Sequence, residues 1–221
     1  MWKEIRELIR MEFALEMRQK HALGSMLLYV VATVFICFIA FNRTIDLNTW
    51  NALFWVIMVF SAFNSVGRSF RHEHEGERLH RYLIAHPLSN ILAKTLYNIV
   101  LMVFLGCLSL LVHSFFLGTN VYANADPLMI GTALILGSSG LASIITMIAA
   151  IASKSGNNLG ITAILGFPVI LPLLAVAVRF SKAGLEGLAW SATSDRALIL
   201  LMVQGLAWGL SAILFPYLWR D

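Results

Sequence analysis

The chain has 221 residues, of which 59% are hydrophobic and only 13% are charged, and its mean hydropathy is +0.78. Soluble domains carry about 25% charged residues, so a soluble core of this length could not hide so much apolar surface. The composition therefore excludes a soluble protein and predicts an all-α integral membrane protein. The net charge of +4 does not indicate a nucleic-acid partner, because the basic residues cluster beside apolar runs and form no basic domain.

The first 20 residues alternate charged and apolar side chains at helical spacing, with Ile5, Leu8 and Phe13 among the apolar ones. This pattern predicts an interfacial amphipathic helix over residues 1–20. The uncharged run that follows, residues 22–41, is long enough to cross about 30 Å of hydrocarbon. Glutamates precede this run and no small-residue cleavage site follows it, so we expect a retained first span and no signal peptide.

Five further apolar runs predict a bundle of six transmembrane helices in one domain. The predicted spans are residues 22–41, 50–66, 91–117, 128–152, 159–180 and 197–219. An even number of spans places both termini on the same side of the membrane. That side would hold 12 of the 16 Lys and Arg residues. Because basic residues accumulate on the cytoplasmic side, both termini are predicted to be cytoplasmic.

A long polar segment, residues 67–90, separates the second and third predicted spans. It carries four of the six histidines together with acidic and basic side chains, so it must lie in water or against a polar partner. Partly apolar side chains at helical spacing, followed by Pro87, predict a short amphipathic helix on the membrane surface that ends at the proline. These side chains are Leu79, Tyr82, Leu83 and His86. We expect the segment to be the main docking surface of the chain.

Ionisable residues are scarce within the predicted spans, which disfavours ion-coupled transport. Lys94 and Arg179 are expected only to mark span ends. His113 lies deeper and is a possible intramembrane polar site. It could ligate a haem or relay a proton, but a lone imidazole near the end of a span is more often hydrogen-bonded to a neighbouring helix or to water.

Small residues in two predicted spans favour internal helix packing over a dimer seam. They are Gly137, Ser138, Ser139, Gly140 and Ser143 in the fourth span, and Gly205 and Gly209 in the sixth. Cys37 and Cys107 each lie inside an apolar run without a CxxC pattern, so we expect reduced packing residues and no disulfide.

Pro168 and Pro172 lie one turn apart in the fifth predicted span. Each proline removes a backbone donor and bends a helix, so a bend is expected here. Such a bend can act as a hinge or only give the helix its shape.

Enzyme motifs are not found. The stretch HEHEGERLH resembles the zinc motif HExxH, but Gly76 and Arg78 stand where the second histidine would be needed. The chain also contains no Gly-Lys dipeptide, and therefore no phosphate-binding Walker A loop. We predict no catalytic residues and no metal site, and any use of ATP would require another chain.

The order of an N-terminal interfacial helix, six spans and a polar segment after the second span resembles the permeases of ABC exporters. The polar segment and the two prolines of the fifth span more narrowly resemble the haem exporter protein B (CcmB) family of cytochrome c maturation. The matching residues are Arg68, Phe70, Arg71, Glu73, Gly76, Leu79, Leu83, Pro87, Ala93, Lys94, Pro168 and Pro172. The resemblance covers nearly the whole length, although other exporter permeases share part of the polar pattern.

This resemblance implies a permease subunit, present in two copies in the bacterial inner membrane, that works with a separate CcmA-like ATPase. Further partners would be CcmC-like and CcmD-like haem-handling membrane proteins and a CcmE-like periplasmic haem chaperone. Residues 67–90 would hold the coupling helix, with an ATPase interface formed by a set of polar and apolar side chains. That set is Arg68, Phe70, Arg71, Glu73, Gly76, Leu79, Tyr82, Leu83 and Pro87. Either haem itself would be the cargo or the ATPase cycle would release a haem-loaded chaperone, and no bound cofactor is expected.

Two other interpretations remain open. The chain could be an ABC-type exporter permease for a lipid, a polysaccharide or a drug, which would differ only in its cargo. It could also be a non-transporting membrane scaffold or an intramembrane enzyme. Co-purification with ATPase activity would distinguish a permease from the scaffold or the enzyme.

Overall fold

The computed structural model describes residues 2–18, 20–41, 45–71, 86–118, 120–153 and 159–220. Every regular element in these ranges is helical, which confirms the all-α class for this part of the chain. The helices are α1 (Trp2–Arg18), α2 (Lys20–Ala40), α3 (Leu47–Arg71), α4 (Pro87–Leu117), α5 (Pro127–Ala152), α6 (Leu159–Leu185) and α7 (Ser194–Arg220). Two short 3-10 helices, Asn120–Tyr122 and Trp190–Ala192, precede α5 and α7.

Within the described ranges, five helices contain stretches long and apolar enough to cross a membrane. These stretches are Leu47–Val66, Pro87–Leu117, Pro127–Ala152, Gly160–Leu185 and Ser194–Phe215. The chain is therefore an integral membrane protein. In α2 the corresponding apolar stretch, Gly24–Ala40, is shorter. The first of the six predicted spans accordingly stays a prediction.

Helix α5 forms the buried centre of the bundle and packs against α3, α4, α6 and α7. Its apolar stretch is 83% buried, against 17% for that of α7. Glycines allow this central position: a Cβ added at Gly137 would lie 2.1 Å from the Trp55 ring, and one added at Gly140 would lie 2.7 Å from Leu173. The prediction of internal packing is thus confirmed for the small residues of α5.

The same prediction is wrong for Gly205 and Gly209 of α7. A Cβ added at either glycine would meet nothing within 4 Å. Helix α7 instead turns Ala207 and Ser211 toward the bundle, where both are buried. Its glycines consequently lie on the outer surface of the bundle.

A buried hydrogen-bond network joins α3 to α6. Trp55 Nε1 donates to Ser181 Oγ at 2.8 Å, and the Ser181 hydroxyl donates to Asn51 Oδ1 at 2.8 Å. Asn51 Nδ2 donates in turn to the carbonyl oxygen of Val178 at 2.8 Å. Bonds between helices matter in a membrane because lipid offers polar groups no alternative partner.

The starts of two helices are fixed by proline. Pro127 follows Asp126, whose carboxylate accepts from the backbone N–H groups of Leu128 and Met129 at 2.9 and 3.3 Å. Pro87 lies likewise in the first turn of α4, where its missing N–H costs nothing and its fixed φ suits a helix. The predicted amphipathic helix that ends at Pro87 would fall in residues 72–85, outside the described ranges, so it stays a prediction; the structure shows that Pro87 itself begins α4.

Both cysteines are free, with Cys37 half-buried and Cys107 exposed. A packing role is therefore wrong for Cys107, which lines an apolar groove of about 570 Å³ between α4 and α5. Leu111 and Gly131 lie in the same groove. Leu111 is 65% exposed, which shows that the groove opens on the outer surface of the bundle.

Orientation can be tested with single cysteines in a cysteine-free background. Positions Asn48 and Ser191 are exposed and lie near the helix ends at one side of the bundle. With both termini cytoplasmic, cysteines there should react with an impermeant thiol reagent added from outside. Cysteines at Glu75 and Asn157, on the opposite connections, should react only after the membrane is opened. Labelling of position 75 from outside would show that the predicted orientation, with both termini cytoplasmic, is wrong.

Candidate functional site

Only the two ends of the predicted ATPase interface lie in the described part of the chain. The backbone of Arg68, Phe70 and Arg71 belongs to the last turns of α3. Pro87 stands at the other end, in the first turn of α4. The interface residues outside the described ranges are Glu73, Gly76, Leu79, Tyr82 and Leu83. Their contacts stay a prediction, whereas the anchorage of the segment at α4 can be described in detail.

The start of α4 is capped by a glutamate from the opposite end of the sequence. His86 is the N-cap residue of α4, and its own side chain makes no capping bond. The His86 backbone N–H instead donates to Glu4 Oε1 at 2.7 Å, and the buried Ser89 hydroxyl donates to Glu4 Oε2 at 3.0 Å. Glu4 thus supplies from α1 an acceptor that the local sequence lacks.

The charge of Glu4 suits this position. The N-terminus of a helix carries a partial positive charge, which favours a nearby carboxylate. The hydrogen bond from the His86 N–H is the main cause that holds the pKa of Glu4 below its usual value, and the Ser89 bond acts in the same direction, while burial opposes both. Glu4 is therefore ionised at neutral pH.

A second polar contact joins the same two helices about two turns further on. The Lys94 ammonium lies 3.9 Å from a carboxylate oxygen of Glu12, and the Lys94 side chain is only 1% exposed. The expectation that Lys94 marks the end of a span stays a prediction, and the structure adds that its charge is buried between α1 and α4. A buried charge of this kind requires a partner, and Glu12 is one.

An aromatic pair extends the contact by one more turn of α4. The rings of Phe13 and Tyr97 meet edge to face with their centroids 5.1 Å apart. The three contacts advance in the same direction along both helices, so α1 runs beside the first three turns of α4. We call this set of contacts (Glu4 with His86 and Ser89, Glu12 with Lys94, and Phe13 with Tyr97) the α1–α4 clamp.

The length of α4 explains why a clamp can form beside it. Its 31 residues span about 46 Å, whereas the hydrocarbon core of a bilayer is about 30 Å thick. The excess, about 16 Å, matches the stretch of α4 that α1 covers. This length agrees with the prediction that α1 lies at the membrane surface, which would keep its polar contacts with α4 out of the hydrocarbon.

His113 lies at the far end of α4, about 40 Å from His86 along the helix axis. It is fully buried, and its Nδ1 atom lies 3.1 Å from the carbonyl oxygen of Ser109 in the same helix. The structure thus brings His113 together with neither the clamp nor the docking segment. A functional role for it stays a prediction. Pro168 and Pro172 are also separate, on the exposed face of α6.

The family model for the CcmB protein matches residues 3–214, nearly the whole chain. The chain belongs to the CcmB family. Membership makes it a transmembrane component of the ABC transporter for haem export in cytochrome c maturation. The match begins at residue 3, and it therefore includes α1 from its second residue onward and every residue of the clamp. Neither a curated protein nor a solved structure matches the chain significantly.

The clamp residues Glu4 and Glu12 were not identified as functional from the sequence alone. A signal was nevertheless present at position 86. Histidine is not among the preferred N-cap residues, yet a proline follows it, as is common in the first turn of a helix. A helix that begins without a capping side chain needs an acceptor from elsewhere, and an amphipathic helix rich in glutamate is a plausible source.

Replacing Glu4 with glutamine tests the clamp. The Glu4→Gln variant keeps the length of the side chain but removes the charge at the start of α4. A negative charge at the start of a helix contributes about 0.3 to 1 kcal/mol, so the midpoint of thermal unfolding of the purified protein should fall by about 1 to 4 °C. Glu7→Gln is the matched control, because Glu7 is exposed on the same helix and its replacement should leave the midpoint unchanged.

The loss of stability in the Glu4→Gln variant should also depend on pH. Because the pKa of Glu4 is lowered in the folded protein, the stabilisation is fully present above the ordinary pKa of a glutamate. It is lost as the pH falls through the lowered, folded-state pKa. The difference between the wild type and Glu4→Gln should accordingly shrink in acid. Equal midpoints for the two proteins at neutral pH would contradict the clamp.

Proposed function

We propose that this CcmB-family chain is the permease subunit that couples ATP hydrolysis by a separate CcmA-like ATPase to haem handling. ATP hydrolysis would drive either the export of haem or the release of a haem-loaded, CcmE-like chaperone. The match over residues 3–214 carries this proposal. The remaining assembly is proposed by family analogy: two permease copies in the inner membrane, with both termini in the cytoplasm and with CcmC-like and CcmD-like partners.

The docking site we propose for the ATPase is the segment from Arg68 to Pro87. Its charges have both signs, unlike those of a purely basic loop that anchors neighbouring spans. It also presents apolar side chains of the kind that anchor protein interfaces. These are Phe70, Leu79, Tyr82 and Leu83. A solvated anchoring loop, the other interpretation of this segment, would not need them.

The α1–α4 clamp supports a mechanical role for this segment. One end of the segment continues directly into α4, and the backbone N–H of His86 at that junction is bonded to Glu4. A displacement of the docked segment would therefore act on α4 and α1 together. Helix α4 packs in turn against α5, the centre of the bundle. Closure of the ATPase would in this way move packed helices as rigid elements.

Leu83→Asp tests the docking proposal. Truncating an anchor residue of an interface costs about 1 to 4 kcal/mol, and a charge in an apolar pocket adds desolvation. We expect the variant to lose its ATPase during purification in detergent while the permease remains folded. Glu77→Ala is the control, since loss of a rim charge mostly costs less. If the Leu83→Asp variant keeps its ATPase and its ATP-dependent function at wild-type levels, the docking proposal is wrong.

The prolines of α6 generate a second test of the transport cycle. Replacing Pro168 and Pro172 with alanine would restore two helical hydrogen bonds and straighten any bend. We expect the double variant to insert and to bind its ATPase, but to mature cytochrome c poorly. A double alanine replacement of Val169 and Leu171, exposed neighbours on α6, should have little effect. Normal maturation in the proline variant would leave the prolines with no role beyond helix shape.

A further inference from the structure

An aromatic cage surrounds His113 at the end of the bundle remote from the clamp. The imidazole centroid lies 5.3 Å from that of Trp50 and 5.7 Å from that of Phe54, edge to face in both cases. The Tyr122 ring contacts Trp50 at 5.5 Å. His113 and Ser109 are 0% exposed and Trp50 is 2% exposed. These five side chains form the cage. Phe54 is also buried, at 3% exposure, whereas Tyr122 is partly exposed and borders the groove that Cys107 lines.

The hydrogen bond of His113 fixes the tautomer of its ring. Nδ1 lies 3.1 Å from the Ser109 carbonyl oxygen, and because a carbonyl cannot donate, Nδ1 must carry the proton. In the neutral imidazole Nε2 is then an acceptor. Nε2 has no hydrogen-bond partner among the described residues.

Two further polar atoms of the cage are buried without a partner in the described part of the chain. They are the Trp50 indole nitrogen, which can only donate, and the Ser109 hydroxyl, which can donate and accept. Buried polar groups almost always find a partner, because an unpaired one costs folding free energy. The cage thus holds three buried polar groups whose hydrogen-bonding capacity is unused among the described residues: Nε2 of His113 can accept, the Trp50 indole N–H can donate, and the Ser109 hydroxyl can do both.

We propose that the cage binds a water molecule, which donates to His113 Nε2 and accepts from Trp50 Nε1, with the Ser109 hydroxyl available as a third partner. A buried water typically makes about three hydrogen bonds of mixed direction, which the cage offers. A metal ion would require several ligating groups, and no cluster of three His, Cys, Asp or Glu side chains occurs among the described residues.

A matched control for Trp50 lies five residues away on the same helix. Trp55 is also 2% exposed, but its indole N–H donates to Ser181 Oγ at 2.8 Å. The two tryptophans share residue type, helix and burial. They differ in that, among the described residues, only the Trp55 indole N–H has a protein acceptor.

Hydroxyl-radical footprinting by millisecond X-ray pulses tests the proposal, because radicals form from water in place and oxidise the side chains beside it. The complex in lipid nanodiscs would be irradiated, and the oxidation rates of Trp50 and Trp55 would be compared by mass spectrometry. We expect Trp50 to be oxidised several-fold faster than Trp55. Equal rates for the two tryptophans would overturn the proposal even without any variant.

A His113→Phe variant identifies what holds the water. Phenylalanine keeps an aromatic ring of similar size but removes Nε2. The oxidation rate of Trp50 should then fall to that of Trp55. If Trp50 keeps its full excess in this variant, radicals reach it from bulk solvent through motion of the bundle, and the water site is wrong.

Discussion

The core of the bundle depends on one close approach, that of the Trp55 ring to the backbone of α5 at Gly137. No side chain larger than hydrogen fits there, since an added Cβ would lie 2.1 Å from the ring. With the ring in that place, its indole N–H reaches Ser181 on α6, so three helices meet at one point. Helices in lipid gain little from the hydrophobic effect, and close packing and interhelical hydrogen bonds hold them together instead.

The clamp shows a different kind of contact at the edge of the bundle. Here α1 packs beside the first turns of α4, and charged groups supply two of the three contacts. Glu4 satisfies the backbone at the start of α4, and Glu12 accompanies the buried Lys94. The apolar centre and the polar edge are joined through α4, which packs against both α1 and α5.

The existence of most helices follows from the sequence because each is an apolar run of sufficient length. Their starts do not follow as well: the third predicted span begins at residue 91, whereas α4 begins at Pro87. Polar residues and proline look like loop by hydropathy, yet they suit the first turn of a helix. The clamp could not be predicted because Glu4 and His86 are 82 residues apart. The burial of the Lys94 charge likewise could not be predicted, since it depends on a distant helix.

The sequence separation within the clamp has a consequence for biogenesis. Glu4 leaves the ribosome long before its partner at position 86, 82 residues later in the chain. At synthesis rates of about 5 to 20 residues per second, this wait lasts about 4 to 16 s. During that time α1 has no α4 beside which to pack, and its apolar face is free to rest on the lipid surface. The nascent helix would then exchange a lipid contact for a protein contact only after the third span has emerged.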